Sequence, residues 1–123
     1  MQLNLERPDY TYFLRNADGM QAQVNDRVLT RSCIVAPDTL IEDWLVRANQ
    51  ALLPTDLEPL LALNPELVVL GTGTMQVFPS AAVMAACLTR GIGIEVMTNA
   101  AAARTFNVLA SEGRRVVAGF VLS

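Results

Sequence analysis

Residues 66–79 read ELVVLGTGTMQVFP: an unbroken apolar run, then Gly-Thr-Gly-Thr, then a short apolar loop closed by proline. A continuous run of this kind is the pattern of a strand covered on both faces, where a half-exposed strand would alternate. Working outward, Ser80 is a good N-cap after Pro79, and AAVMAACLTR (81–90) reads as a helix ended at Gly91. IGIEVM (92–97) is the next strand. Thr98 or Asn99 caps a helix over AAAARTFNVLASE (100–112), Gly113 ends it, and RVVAGFVL (115–122) is the last strand. Strand–helix–strand–helix–strand means an α/β sheet with helices on its faces.

Upstream, Pro54 or Thr55 opens a helix through Leu57, Leu60, Leu61 and Leu63 that Asn64-Pro65 stops. Before it the rhythm is that of β structure. TYFL (11–14) runs into the turn Asn-Ala-Asp-Gly (16–19), and MQAQV (20–24) alternates. Asn25-Asp26 turns into RVLT (27–30), and SCIVAP (32–37) is a strand ended by Pro37. TLIEDW (39–44), with LVRA (45–48), gives a last short strand. These early strands extend the same sheet or lie across one end of it, making the whole mixed rather than purely parallel. No repeat, low-complexity stretch or linker divides residues 1–123, so one domain is expected.

Composition narrows the chemistry. The 52% hydrophobic content suits a packed globule, and no apolar run approaches the ~20 residues that span a bilayer. The start, MQLNLERPDY, has neither a basic segment leading into an apolar one nor an Arg/Ser-rich character, so a cytoplasmic protein of bacterial type is expected. A net charge of −3 disfavours a nucleic-acid partner, which needs a basic face. All nine positive side chains are arginine. With no lysine and no histidine there is no Schiff base, no lysine phosphate clamp, no histidine general base and no histidine metal ligand. Cys33 and Cys87 are far apart without CxxC spacing and read as buried free thiols. Neither a cofactor nor a metal is expected.

The glycine loop fails both phosphate signatures. A P-loop needs a second glycine followed by lysine, but position 76 is Gln and the chain has no lysine. The dinucleotide fingerprint needs a third glycine at the same place, and the helix begins too late, near Ser80. A looser site survives if strands 66–70 and 92–97 are parallel neighbours. Their following loops then emerge at one sheet edge and gather Gly71, Thr72, Gly73 and Thr74 with Thr98 and Asn99, near two helix N-termini. Arg104 would lean over this crevice as an anion clamp. The plainer alternative is that Thr98 and Asn99 are ordinary caps and the glycines serve a turn.

Other groups point to structure. Glu42 and Asp43 are adjacent, so on a strand they face opposite ways. Glu112 and Arg114 are expected to pair with each other or with Arg104. Ser80 lies in no GxSxG elbow. Trp44, Met75, Val77 and Phe78 are apolar residues placed where exposure is plausible, as lids over the sheet edge or as a partner surface with Trp44, Met75 and Phe78 at its centre.

The second half also carries a recognisable pattern: a strand ending Gly-x-Gly (Gly71, Gly73), Pro79, Gly91, then Glu-x-Met-Thr (Glu95, Met97, Thr98), Ala-x-Arg-Thr-Phe-Asn (Ala102, Arg104 to Asn107) and Glu-Gly-Arg (Glu112 to Arg114). This resembles a small domain family of bacteria, archaea and mitochondria whose mitochondrial member is the third assembly factor of respiratory complex I. The match is specific over about residues 66–122. The resemblance implies a three-layer α/β fold with a mixed central sheet and supporting β hairpins. It implies no reaction. Two functions follow as expectations: a non-catalytic interaction or assembly protein whose partners are subunits of a respiratory or membrane complex, or a binder (or enzyme) of small anions or metabolites at Gly71–Thr74 and Arg104.

Overall fold

The computed structural model describes residues 10–123; the reading of residues 1–9 as free of a targeting segment lies outside them. In chain order the strands are β1 (Leu14–Ala17), β2 (Ala22–Val24), β3 (Arg27–Leu29), β4 (Cys33–Ala36), β5 (Thr39–Ile41), β6 (Leu67–Gly71), β7 (Gly93–Met97) and β8 (Val116–Phe120). The helices are α1 (Glu58–Leu61), entered through a 3-10 turn at Pro54–Leu57, α2 (Ala81–Leu88) and α3 (Asn99–Ser111).

The apolar run becomes β6, flanked by β8 and β7 in a five-stranded sheet of order β5-β4-β8-β6-β7. β6 pairs parallel with both neighbours, while β4 is antiparallel to β8 and to β5. Because β7 and β8 lie on opposite sides of β6, right-handed crossovers put α2 and α3 on opposite faces. The core partners agree. Val69, Ala118 and Phe120 pack with Ala102 and Phe106 of α3, whereas Val68, Leu70 and Val117 pack with Val83 and Cys87 of α2 and with Leu57 and Leu60. That is why the run does not alternate: both sides of β6 are inside.

The question of where the early strands go divides. β4 and β5 extend the main sheet, while β1–β3 form a separate three-stranded antiparallel sheet that covers α3. The layers are therefore α1 and α2, the mixed sheet, then α3 with the small sheet.

Local chemistry sets the boundaries. The Ser80 hydroxyl accepts the Val83 N–H (3.3 Å) and the Thr98 hydroxyl accepts the Ala101 N–H (3.2 Å). Both helices close in the same way, with Gly91 (φ 71°) and Gly113 (φ 78°) left-handed. After α2 the Gly91 and Ile92 N–H groups donate to Leu88 and Cys87 carbonyls; after α3 those of Gly113 and Arg114 donate to Ala110 and Leu109.

Two expected strands are corrected. Residues 11–13 are not in a strand: Asn25, at φ 52°, accepts the Phe13 N–H on Oδ1 and donates from Nδ2 to the Thr11 carbonyl, and β1 starts only at Leu14. The strand expected over 39–48 ends at Ile41. Residues 44–46 do alternate, with Trp44 and Val46 buried and Leu45 exposed, but the segment lies across the α2-side core as coil. There the Val46 N–H donates back to the Trp44 carbonyl (2.8 Å).

Candidate functional site

β6 and β7 are parallel neighbours, so the loops after them do meet at one sheet edge, as the spacing requires. The Gly73 carbonyl accepts the Asn99 N–H (2.8 Å), and the Thr72 N–H donates to the Met97 carbonyl (2.9 Å). Gly71, Thr72, Gly73, Thr98 and Asn99 are thus brought together.

Their polar atoms are largely spent within the chain. The Thr72 hydroxyl donates to the Met75 carbonyl (2.6 Å) and accepts the Val77 N–H (3.0 Å), which folds residues 72–77 into a tight loop. Thr98 caps α3. Asn99 is fully buried, and its Nδ2 donates to the Asp18 (2.8 Å) and Val121 (3.0 Å) carbonyls. Among the described residues its Oδ1 has no hydrogen-bond partner, and it lies against Gly71, where any Cβ would collide with it. Gly73 sits at φ 104°, which L side chains rarely adopt. Thr74 is exposed above Gly19.

Arg104 does not close this crevice. Asn99, Ala102, Ala103, Phe106 and Ala110 form the buried face of α3, and at 3.6 residues per turn Arg104 comes ~140° round from Asn99. It is exposed and makes no ion pair among the described residues.

The loop presents apolar side chains instead. Met75 is 71% exposed, Val77 59% and Phe78 66%. Val77, Phe78 and Pro79 form one wall of a cleft of about 230 Å³ whose other wall is Gln50, Ala51 and Leu52. Trp44 is corrected: it is 5% exposed, its indole N–H donates to the Asp56 carbonyl (2.9 Å), and its ring fills the space above Gly119. The small residue at 119 makes that seat, so the side chain serves the core and presents no free surface. Gln76 reaches from the loop to donate from Nε2 to the Val96 carbonyl of β7 (2.7 Å). Only its position between exposed apolar residues hints at this in the sequence.

Several of the remaining charged and nucleophilic groups are paired within the chain or buried. Arg114 pairs with Glu66 (3.5 Å) and not with Glu112 or Arg104, because the turn after α3 carries it to the start of β6. The Arg115 N–H donates to Glu66 and holds that carboxyl below its usual range, with the Arg114 charge assisting. Past the end of β5, Glu42 pairs with Arg27, and Asp43 with Arg31 (3.6 Å). Cys33 and Cys87 are free and buried. Burial, aided by the Glu42 charge, pushes the Cys33 thiol up to about 12, and burial also raises Cys87. At the opposite end of the sheet a cleft of about 450 Å³ includes Tyr10, Asp38, Ser111, Arg114 and Arg115. No helix among the described residues is long and apolar enough to cross a membrane.

Comparison with known proteins extends this picture. The sequence profile of a family described as protein of unknown function (DUF498/DUF598) matches residues 15–121. A Xanthomonas campestris protein solved by NMR shares 58% identity, covering 99% of this chain and 92% of that one, with a TM-score of 0.82. A mouse protein named NADH dehydrogenase (ubiquinone) 1 alpha subcomplex assembly factor 3 is 36% identical over 86 residues, 67% of this chain and 45% of its own length. A Francisella tularensis protein named 13 kDa major membrane protein is 31% identical over 67 residues, 54% of each. The chain spans about half the length of the curated relatives it matches.

Proposed function

The chain belongs to the DUF498/DUF598 family, and from that premise we propose that it is a non-catalytic interaction domain that docks on a protein subunit of a respiratory or other membrane-associated complex. The observation that carries the proposal is the loop after β6. Three large apolar side chains within four residues are held in solvent by a hydroxyl-braced turn, beside a ready-made cleft. Scattered apolar exposure is ordinary, but apolar residues gathered beside a cleft are characteristic of partner surfaces. The relative named as a complex I assembly factor supports the choice of partner class. We place the chain in the cytoplasm, acting on its partner without inserting a helix.

The alternative, a small anion or metabolite held at Gly71–Thr74 with Arg104, has less support. Most of the hydroxyls and amides it would use are bonded within the chain, and Arg104 lies on the far side of α3. Affinity purification of the tagged chain from its native cell, beside a Val77→Asp/Phe78→Asp variant, tests the proposal. Respiratory or membrane-assembly subunits should be recovered with the wild-type chain and lost with the variant. Equal recovery by both, or a co-purifying metabolite with no protein partner, would overturn it.

A further inference from the structure

β7 is the last strand of the main sheet, with β6 on one side and no strand on the other among the described residues. Its inward-facing groups can be assigned from the ladder. The Gly93 N–H donates to the Glu66 carbonyl (3.2 Å) and the Met97 carbonyl accepts the Thr72 N–H (2.9 Å). In a parallel pair alternate residues direct both backbone groups to the same neighbour, so Gly93, Glu95 and Met97 serve β6. Ile94 and Val96 therefore turn their backbone groups outward. One of those four is taken, since the Val96 carbonyl accepts the Gln76 side chain. Among the described residues the Ile94 N–H, the Ile94 carbonyl and the Val96 N–H are left as an open donor–acceptor row.

The geometry points to this edge as a docking strip for an extended segment of a partner protein. The segment is added to β7 as a sixth strand, and it carries a lysine or arginine opposite Glu95 with apolar residues on either side. This rests on the reading of the chain as a partner-binding domain and specifies the partner's chemistry. Glu95 is exposed at the middle of the strip and makes no ion pair among the described residues. A strand bonded to Ile94 and Val96 places its intervening residue against Glu95 in a close, non-hydrogen-bonded pair, where opposite charges stabilise. The flanking residues project to the other face, beside half-buried Ile94. A second copy of this chain fits poorly. Antiparallel self-pairing through Ile94 and Val96 sets Glu95 opposite Glu95, and like charges there destabilise. Gln76 acts as a gatekeeper on the fourth group, which is how sheet edges are commonly blunted. The other edge, β5, is three residues long, and the next residue, Glu42, is already ion-paired to Arg27.

The test uses the full chain and three capped octapeptides: alternating valine and lysine, alternating valine and glutamate, and the valine–lysine peptide with N-methylated central amides. Amide hydrogen exchange is followed by NMR. The valine–lysine peptide should slow exchange at Ile94 and Val96 by about tenfold or more, and the other two should not. Gln76→Ala, which frees the Val96 carbonyl, should tighten binding severalfold. Glu95→Lys should reverse the preference between lysine and glutamate peptides. Unchanged exchange with every peptide, equal slowing by lysine and glutamate peptides, or slowing that depends on protein concentration alone would each overturn the proposal. Peptide-induced shifts confined to Met75–Phe78 would overturn the edge while leaving the docking loop intact, and the Val77→Asp/Phe78→Asp purification decides the loop separately.

Discussion

Asparagine side chains do work in this molecule that backbone ladders usually do. Asn107 accepts the Leu14 N–H (2.9 Å) and donates to the Leu14 carbonyl (2.7 Å), so one amide stands in for a strand on the edge of β1. Asn107→Ala leaves two part-buried backbone groups without partners and should cost about 1–3 kcal/mol, measured as a fall in the urea midpoint. Gly71→Ala pushes a methyl group into Asn99 and Ala102 and should cost a similar ~1–3 kcal/mol. The paired substitution Gly71→Ala/Asn99→Ala should recover little, because the Asp18 and Val121 carbonyls then lose their donor. Cys33 gives the third expectation at this scale. With its thiol near 12 and its side chain buried, it should stay inert to a disulfide reagent at neutral pH and react only on unfolding.

Among the elements, those of the second half were legible because their signals are local. Ser80 and Thr98 cap, Gly91 and Gly113 stop, and the run at β6 announces its two covered faces. Removing either cap hydroxyl, as in Ser80→Ala or Thr98→Ala, should cost about 1 kcal/mol in thermal or urea unfolding, while Thr98→Ser should be close to neutral. The first half was less legible because its arrangement depends on contacts distant in sequence. Nothing local in TYFL shows that Asn25 will hold residues 11–13 in place of a strand neighbour. The alternation at 44–46 has a strand's period but records a coil laid on a core. At the candidate site the meeting of the two loops was readable from the parallel-neighbour rule. The orientation of Arg104 was not, since it depends on which stripe of α3 the small sheet covers. The burial of Trp44 is hidden from the sequence for the same reason: its seat is made by Gly119, far along the chain.

For the molecule as a whole, shifted groups contribute at both ends of the pH profile. Backbone N–H groups hold Glu66 and Asp18 below the ordinary carboxylate range. Their folded forms bind fewer protons than the unfolded chain, so the stability they contribute is present above the unfolded value and is lost as pH falls through the folded ones. Cys33 has the opposite sign. Its raised value makes the neutral thiol a stabilising form below its ordinary value of 9.0, and that contribution is lost as pH rises toward about 12. Urea titrations from acid to alkaline pH should show both limbs. Glu66→Gln should make the acid limb shallower and Cys33→Val the alkaline one, each leaving the other limb in place.

The division of the interior by the central sheet leaves a natural pair of optical labels. The single tryptophan lies wholly in the α2-side core, while both tyrosines pack against the α3 side, Tyr10 edge-on to Phe106 at 6.3 Å. Each aromatic signal therefore reports one half of the interior. Whether the two halves melt as one can be read without adding a dye: coincident tryptophan and tyrosine transitions mean a single cooperative unit, and an earlier tyrosine transition would show the small sheet and α3 letting go first.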